Sequence, residues 1–356
     1  MHETSRADVL EPLRDQRAIE MPVFDSLLGT MRGVRGFWLL IPLATPGAAT
    51  VSLRGEFTAL TMAAVSAVAV LVLGILAVAW LRRRAIPWKA LSELAGKSAF
   101  SEVSLPPEGL FSVGSKVYFK LPDADDVWAE VRLPKAARLQ LAAQRRIWLL
   151  GPDEEGRRFL QLPGVLWPHQ VTAVPSLPGD AVPLDEIDQR IVPPEEDVVL
   201  IAHRQRIAWG LRALFGAGAA ALGLLVAIQV VMLVEDGPRP EPGLVIMTIY
   251  WLVLLVIGVD AAMGMLKPLP RGKWSELVAI PHAPPRIGAS GLAALGCRIQ
   301  WPDGRWSDAF MSKVDPALAA NIWATQRLWI VGAPLRGTTT FAGVPGHAVL
   351  GRVRFN

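Results

Sequence analysis

The sequence contains one stretch that is similar to part of a phosphate site. The residues AGKS at 95–98 are similar to the end of a phosphate-binding loop, in which glycine amides and a lysine hold phosphate oxygens. Such a loop has a glycine five residues before Gly96, where this chain has Leu91, and it follows a strand, which is not predicted here. The AGKS stretch therefore does not predict a nucleotide site.

Other patterns that carry chemistry are also missing from the sequence. Cys297 is the only cysteine, which excludes an intramolecular disulfide and a cysteine-based zinc site. His169 and His347 each follow a Pro-Gly pair, but at different offsets, so a shared ligand role is not expected. No GxSxG, HExxH, CxxC or EF-hand pattern occurs. The sequence thus offers no catalytic, cofactor-binding or metal-binding residue, and it leans against an enzyme without excluding one.

The composition indicates the class of protein and the kind of elements that form it. The chain has 356 residues, of which 52% are hydrophobic and only 19% are charged, and its mean hydropathy is +0.35. A chain this apolar is typical of an integral membrane protein. The net charge is +4, and arginines lie beside the apolar runs, where they would face anionic lipid rather than nucleic acid. We therefore expect a multi-pass protein of the cell (inner or plasma) membrane that has the lipid bilayer as a partner and binds no nucleic acid.

Uncharged apolar runs predict the spans. Arginine and lysine cluster at one end of each run, and by the positive-inside rule these ends are cytoplasmic. Pairing the runs gives a first transmembrane hairpin at 36–84 and a second at 204–272. The predicted spans lie at 57–81, 209–234 and 244–266, and the apolar run at 37–53, which contains two prolines, is either a fourth span or an interfacial segment. Whether 37–53 crosses decides between three and four spans and fixes the side of the N-terminus.

An internal repeat organises the rest of the chain. The phrase QRRIWLLG at 144–151 returns as TQRLWIVG at 325–332, and FLQLPG at 159–164 returns as FAGVPG at 341–346. Upstream, WKALSEL at 88–94 is similar to KWSEL at 273–277. Order and spacing persist over about 80 residues, which indicates two copies of one module. The residues expected in the repeat-module core are Trp148, Trp329, Pro163 and Pro345.

Each copy is predicted to be a small α+β module. Alternating strands surround a turn, as at Asp303-Gly304, and a helix follows that begins near Asp315-Pro316 in the second copy. The fold class expected is therefore a membrane protein with α-helical spans, in which two transmembrane hairpins are each followed by a β-rich, barrel-like cytoplasmic module as a tandem duplication. Its domains are an N-terminal polar segment at 1–35, the hairpin at 36–84, a module at 85–174, a flexible acidic, proline-rich linker at 175–203, the hairpin at 204–272 and a module at 273–356.

Asp260 is the one acid inside the spans predicted at 57–81, 209–234 and 244–266. A carboxylate in lipid costs several kcal/mol, so it is expected to face protein or water. Arg212 lies near the cytoplasmic side of the preceding span, at a similar depth. The two are predicted to form an interhelical pair, with a headgroup-exposed position and a proton or ion pathway as the alternatives.

The chain resembles multi-span membrane proteins of actinobacteria, on the evidence of its arginine- and alanine-rich composition and its span layout. That resemblance supplies no activity and no binding residues. Three functions stay open: a regulatory or interaction protein that presents two modules to a protein partner, a transporter or channel component that uses Asp260, and a membrane-associated enzyme of the cell envelope. The first is favoured, and a homo-oligomer is also compatible with the sequence.

Overall fold

In the computed structural model, the described residues are 7–12, 16–21, 23–26, 28–29, 87–122, 127–188, 190–236, 248–249, 252, 269–288, 292–332 and 337–356. The chain divides into two compact units. The first comprises Met1–Gly33, Ile86–His203 and Leu269–Asn356, and the second comprises Val34–Ala85 and Arg204–Pro268. Both β-rich modules belong to the first unit.

The predicted multi-pass membrane fold is wrong. Among the residues that the structure describes, no helix combines the length and the apolar character needed to cross a membrane. The predicted segments 37–53 and 57–81 lie outside those residues, as does 244–266 except for three positions. The segment 209–234 lies within the helix Val198–Asp236. The cell-membrane localisation and the transmembrane assignment are contradicted together with the fold class.

A physical reason for the error is that sheet interiors also require apolar residues. Two large hydrophobic clusters fill the cores of the two modules, and they take up much of the leucine, isoleucine, valine and alanine in the described chain. The sequence average cannot distinguish residues buried between strands from residues that face lipid. The helix Val198–Asp236 also carries Arg204, Arg206 and Arg212 along its first half.

The first module is an eight-stranded antiparallel sheet with one internal helix. Helix α1 (Trp88–Lys97) precedes it, and the elements that follow are β1 (Ser101–Ser104), β2 (Leu110–Val113), β3 (Lys116–Lys120), β4 (Trp128–Arg132), α2 (Lys135–Gln144), β5 (Arg146–Leu150), β6 (Arg158–Gln161), β7 (His169–Val174) and β8 (Val182–Pro183). The strand order in the sheet is β1-β5-β6-β7-β4-β3-β2-β8, and α2 joins β4 to β5.

Strand β8 lies in the segment predicted to be a flexible linker. That segment instead adds a strand to the edge of β2 and then leads into α3 (Val198–Asp236).

The second module repeats the order of elements. The elements are β9 (Trp274–Pro281), β10 (Arg286–Ile287), β11 (Ala293–Gln300), β12 (Trp306–Val314), α4 (Pro316–Thr325), β13 (Arg327–Val331), β14 (Thr339–Gly343) and β15 (Leu350–Phe355). The sheet runs β10-β11-β12-β15-β14-β13-β9, and a further pairing of β9 with β11 closes six of these strands into a ring. Helix α4 connects β12 to β13, as α2 connects β4 to β5.

The sheet of the second module closes and that of the first stays open because their first strands differ in length. The first half of β9 pairs with β13, and its second half continues on to β11. Strand β1 is only four residues long, and Pro106 and Pro107 follow it almost at once. Proline has no amide to donate to a ladder, so β1 cannot continue across the sheet as β9 does.

The shared register also corrects the upstream alignment of the repeats. The residues WKALSEL at 88–94 form helix α1, whereas KWSEL leads into strand β9. The true counterpart is FSEV at 100–103, because Glu102 lies opposite Trp148 as Glu276 lies opposite Trp329. Each glutamate also contacts the arginine two residues before its tryptophan, at 3.1 Å for Arg146 and 3.3 Å for Arg327.

Helices α2 and α4 both end in a left-handed residue, Arg145 at φ 52° and Gln326 at φ 54°, immediately before the next strand. An L-residue costs about 1–2 kcal/mol in this conformation. The same unfavourable backbone is therefore kept in both copies, because it turns the chain from the helix directly into the strand.

Candidate functional site

The two modules meet at a buried chain of polar side chains. The Nε2 of Gln140 in α2 donates to the carbonyl oxygen of Pro163 at 2.8 Å and lies 3.4 Å from Oε1 of Gln144. The Nε2 of Gln144 lies 2.7 Å from Nε2 of His347, and Nδ1 of His347 lies 2.8 Å from the carbonyl oxygen of Pro345. This series of hydrogen-bonded side chains therefore connects the Pro-Gly turns of the two modules. Two of its members, Gln144 and His347, are 203 positions apart in the sequence.

The first Pro-Gly turn is also held from the second module. Asn321 in α4, which corresponds to Gln140 when Trp148 is aligned with Trp329, donates to the carbonyl oxygen of Gly164 at 2.8 Å. The Oδ1 of Asn321 accepts the amide of Leu10 at 2.8 Å, and Gly164 donates its own amide to the carbonyl of Leu10 at 3.0 Å. Buried amide groups need such partners, and here these partners come from three separate parts of the chain.

The second Pro-Gly turn is held by Asp197, the residue that caps α3. Its Oδ1 accepts the amides of Val199 and Leu200 at 2.9 and 3.2 Å, and its Oδ2 accepts the amide of Gly346 at 2.8 Å. Burial raises the pKa of the Asp197 carboxyl, while the three backbone hydrogen bonds act in the opposite direction.

A cavity of about 160 Å³ opens beside this junction. Its polar lining consists of Gln144, Asp188, Arg190, Glu196, Asp197 and His347, and the other lining residues are largely apolar. Arg190 is paired with Asp188 at 2.5 Å. The cavity has room for a few waters or a very small ligand, and its main consequence is that polar groups of the junction reach solvent along one side.

A second feature lies on the outer face of the closed sheet. Phe310 of β12 is 49% exposed, and it lies between Gly296 of β11 and Arg354 of β15 in the sheet register. Arg298 and Arg352 lie on the neighbouring rows of the same face. We call Phe310, Arg298, Arg352 and Arg354 the cationic face.

Two of these guanidinium groups lie over aromatic rings. Arg298 lies 5.4 Å from the ring centroid of Trp306, and Arg352 lies 5.3 Å from that of Phe341. Asp308, the acid on the adjacent row, lies 3.3 Å from His282. A ring attracts a guanidinium that lies over its face, and guanidinium groups bind carboxylates in a bidentate manner.

The residues predicted for the module core are buried, although not all in the expected layer. Trp148 is 2% exposed and Trp329 is 8% exposed, and Pro163 and Pro345 are also buried. Trp148 faces away from the interior of its own sheet and packs in a cluster with α1 and the N-terminal segment. That segment was predicted only as polar, yet it buries six apolar side chains, namely Ala7, Leu10, Ala18, Met21, Phe24 and Leu28.

Other sequence candidates have no role in the described site. Arg212 is exposed on α3, and the predicted pair with Asp260 lies outside the described residues. Gly96 lies within the last turn of α1, where its amide is committed to the helix and cannot cradle phosphate. Burial raises the pKa of the Cys297 thiol to about 12, so it is a poor nucleophile. No cluster of metal-ligating side chains occurs among the described residues.

Sequence reasoning did not find Gln140, Gln144, Asn321 or Asp197. The alignment of Trp148 with Trp329 places Gln140 opposite Asn321, and a carboxamide at the same helical position of both copies was a usable signal. Comparisons with protein-family models, curated proteins and solved structures give no match.

Proposed function

We propose that this chain is an interaction protein whose second module binds an acidic segment of a partner protein on the cationic face. The observation that carries the proposal is the solvent-exposed ring of Phe310 among Arg298, Arg352 and Arg354. An apolar anchor surrounded by guanidinium groups matches a segment that alternates apolar and acidic residues.

The electrostatics of the face support an acidic partner. Three arginines lie on adjacent rows with one acid, Asp308, which lies opposite Arg298 in the register and 3.3 Å from His282, so the arginines outnumber the acid on these rows. An arginine held over a ring is already partly ordered, so it loses less entropy on binding a carboxylate than a free lysine would lose. Carboxylates on the partner would therefore gain charge-assisted hydrogen bonds at a modest entropic cost.

The same geometry disfavours a single-stranded nucleic acid. Base stacking needs open ring faces, but the rings of Trp306 and Phe341 are each covered by a guanidinium. Phe310 alone offers an exposed ring, and one ring does not make a stacking platform.

The buried junction supports the proposal indirectly. The two modules share their hydrogen-bond networks at both Pro-Gly turns, so the closed sheet is presented on a larger preformed support. A preformed face binds with less ordering cost than a mobile one. A short segment buries less area than a standard protein interface, so we expect affinity in the micromolar range and a strong dependence on salt.

The experiment is a titration of the purified full chain with three fluorescent probes. These are a peptide that alternates glutamate and leucine, the same peptide with lysine in place of glutamate, and a single-stranded oligonucleotide. The glutamate peptide is expected to bind, and both Phe310→Ser and Arg354→Ala are expected to weaken it by about tenfold. Val182→Ser, at a 58% exposed position of the first module, is the matched control and is expected to bind as wild type does.

Two outcomes overturn the proposal. One is tighter binding of the oligonucleotide than of the glutamate peptide, which would assign the face to nucleic acid. The other is equal binding of the glutamate peptide by the Phe310→Ser, Arg354→Ala and Val182→Ser variants.

A further inference from the structure

The hydrogen-bonded chain between the two Pro-Gly turns has a fixed direction. A carbonyl oxygen only accepts, so the 2.8 Å contact with Pro345 places the proton of the neutral imidazole on Nδ1 of His347. The Nε2 of His347 is then an acceptor for the amide of Gln144 at 2.7 Å. At the other end Gln140 donates to the carbonyl of Pro163, which fixes the orientation of that amide as well.

Protonation of His347 conflicts with this direction. A second proton on Nε2 would face the NH₂ of Gln144, which is donor against donor. Rotating the Gln144 amide would relieve that contact, but it would turn the NH₂ of Gln144 toward the Nε2 of Gln140. Rotating Gln140 in turn would set its oxygen against the carbonyl of Pro163. Protonation therefore costs the junction either the hydrogen bond from Gln144 to His347 or the present contact between Gln140 and Gln144.

Charged groups near His347 come from the linker and from the start of α3. Asp188, Arg190, Glu196 and Asp197 line the same cavity. Asp188 is paired with Arg190, Glu196 is exposed, and the Asp197 carboxylate accepts three backbone amides. These acids favour an imidazolium through space, whereas the direct contacts of the ring favour the neutral form. Asp188 and Glu196 are screened by solvent, and the buried Asp197 carboxylate is already stabilised by its three backbone amides, so the contacts of the ring at 2.7–2.8 Å decide the balance.

We propose that His347 is a pH-sensitive latch between the two modules, closed when its imidazole is neutral and weakened when it is protonated. The inference is independent of the proposed partner, because it rests on the junction and not on the cationic face. Free imidazole changes charge between about pH 5 and pH 8, so the latch is tested across that interval. The neutral form favours the folded junction, so the stability contributed by the latch is lost when the ring is protonated.

The first test is nitrogen NMR of the purified full chain with ¹⁵N-labelled histidine. The buried ring of His347, identified by its loss in His347→Asn, is expected to show the Nδ1–H tautomer at about pH 8. A protonated Nε2 at that pH would show that the donor and acceptor order of these hydrogen bonds is reversed, and it would overturn the latch.

The second test measures the melting temperature at about pH 7.5 and pH 5.5. The wild type is expected to lose about 4 °C more than His347→Asn over this interval, because only the wild type loses the latch. His282→Asn, at an exposed histidine that faces Asp308, is the matched control and should follow the wild type.

A third variant keeps the proposal testable if His347→Asn does not fold. Gln144→Glu puts a carboxylate opposite Nε2, which then favours the protonated ring, so the loss of melting temperature on acidification should shrink or reverse. An unchanged pH dependence in Gln144→Glu, or in a folded His347→Asn, would contradict the latch.

Discussion

The two Pro-Gly turns provide a matched pair of glycines that tests how closely the modules pack. Gly164 has φ +71° and Gly346 has φ +73°, both in the region that L-residues avoid. A Cβ built on Gly164 would lie 2.7 Å from Cδ2 of His347 and 3.4 Å from Cβ of Val9, whereas a Cβ on Gly346 meets nothing within 4 Å. Replacing either glycine with alanine therefore has the same backbone cost, but only Gly164→Ala adds a steric conflict.

The expected magnitudes follow from these contacts. Alanine in the left-handed conformation costs about 1–2 kcal/mol, which applies to both variants. Displacing the ring of His347 in Gly164→Ala adds about 1–3 kcal/mol of overpacking, since the ring is also fixed by Gln144 and Pro345. We expect Gly164→Ala to be less stable than Gly346→Ala by about 2 kcal/mol, or about 6 °C in melting temperature.

The assay is thermal and urea unfolding of both variants and the wild type, followed by tryptophan fluorescence and far-UV circular dichroism. The backbone cost cancels in the comparison, so the difference reports the contact between Gly164 and His347. Equal destabilisation of Gly164→Ala and Gly346→Ala would refute the close packing of the first turn against the second module.

Three further predictions follow from single side chains. Asp197→Ala removes a helix cap and leaves the amide of Gly346 without its acceptor, so denaturant titration should show a loss of about 2–3 kcal/mol. Burial raises the folded pKa of the Asp197 carboxyl above its ordinary value of 3.8. The stability contributed by the titration of this carboxyl is therefore largest below that pH and is lost as the pH rises through the folded pKa. Asp197→Asn should abolish this slope in melting curves recorded from about pH 3.5 upward. Cys297, whose pKa is raised to about 12 by burial in the closed sheet, should react with a thiol reagent only when urea unfolds the module, and rapid modification of the native protein would contradict its placement.

Local patterns in the sequence predicted several elements correctly. The turn at Asp303-Gly304 is confirmed, because Gly304 has φ +82° between β11 and β12. The helix start at Asp315-Pro316 is also confirmed, since Asp315 caps α4 by accepting the amide of Ala317 at 2.7 Å. Both features depend only on residues a few positions apart, which is the range over which sequence patterns are informative.

Features that depend on distant residues could not be predicted in the same way. Gln144 and His347 are 203 positions apart, and neither has a local signature that marks it as a contact across modules. The apolar content was assigned to membrane spans because the burial of a residue in a sheet interior depends on which strands pair, and composition contains no information on pairing. WKALSEL was aligned with KWSEL by letters alone, although one forms a helix and the other leads into a strand.

The measurement that tests the central claim most directly is site-specific photo-crosslinking in the native cells. A benzophenone amino acid would replace Phe310 in one strain and Val182 in a control strain, and the crosslinked peptides would be identified by mass spectrometry. Our account predicts adducts at position 310 on segments rich in aspartate and glutamate, with few at position 182, and loss of these adducts when Arg354→Ala is added. Adducts with nucleic acid, adducts on segments without acidic enrichment, or equal adducts at both positions would contradict the assignment of the cationic face as a site for an acidic protein segment.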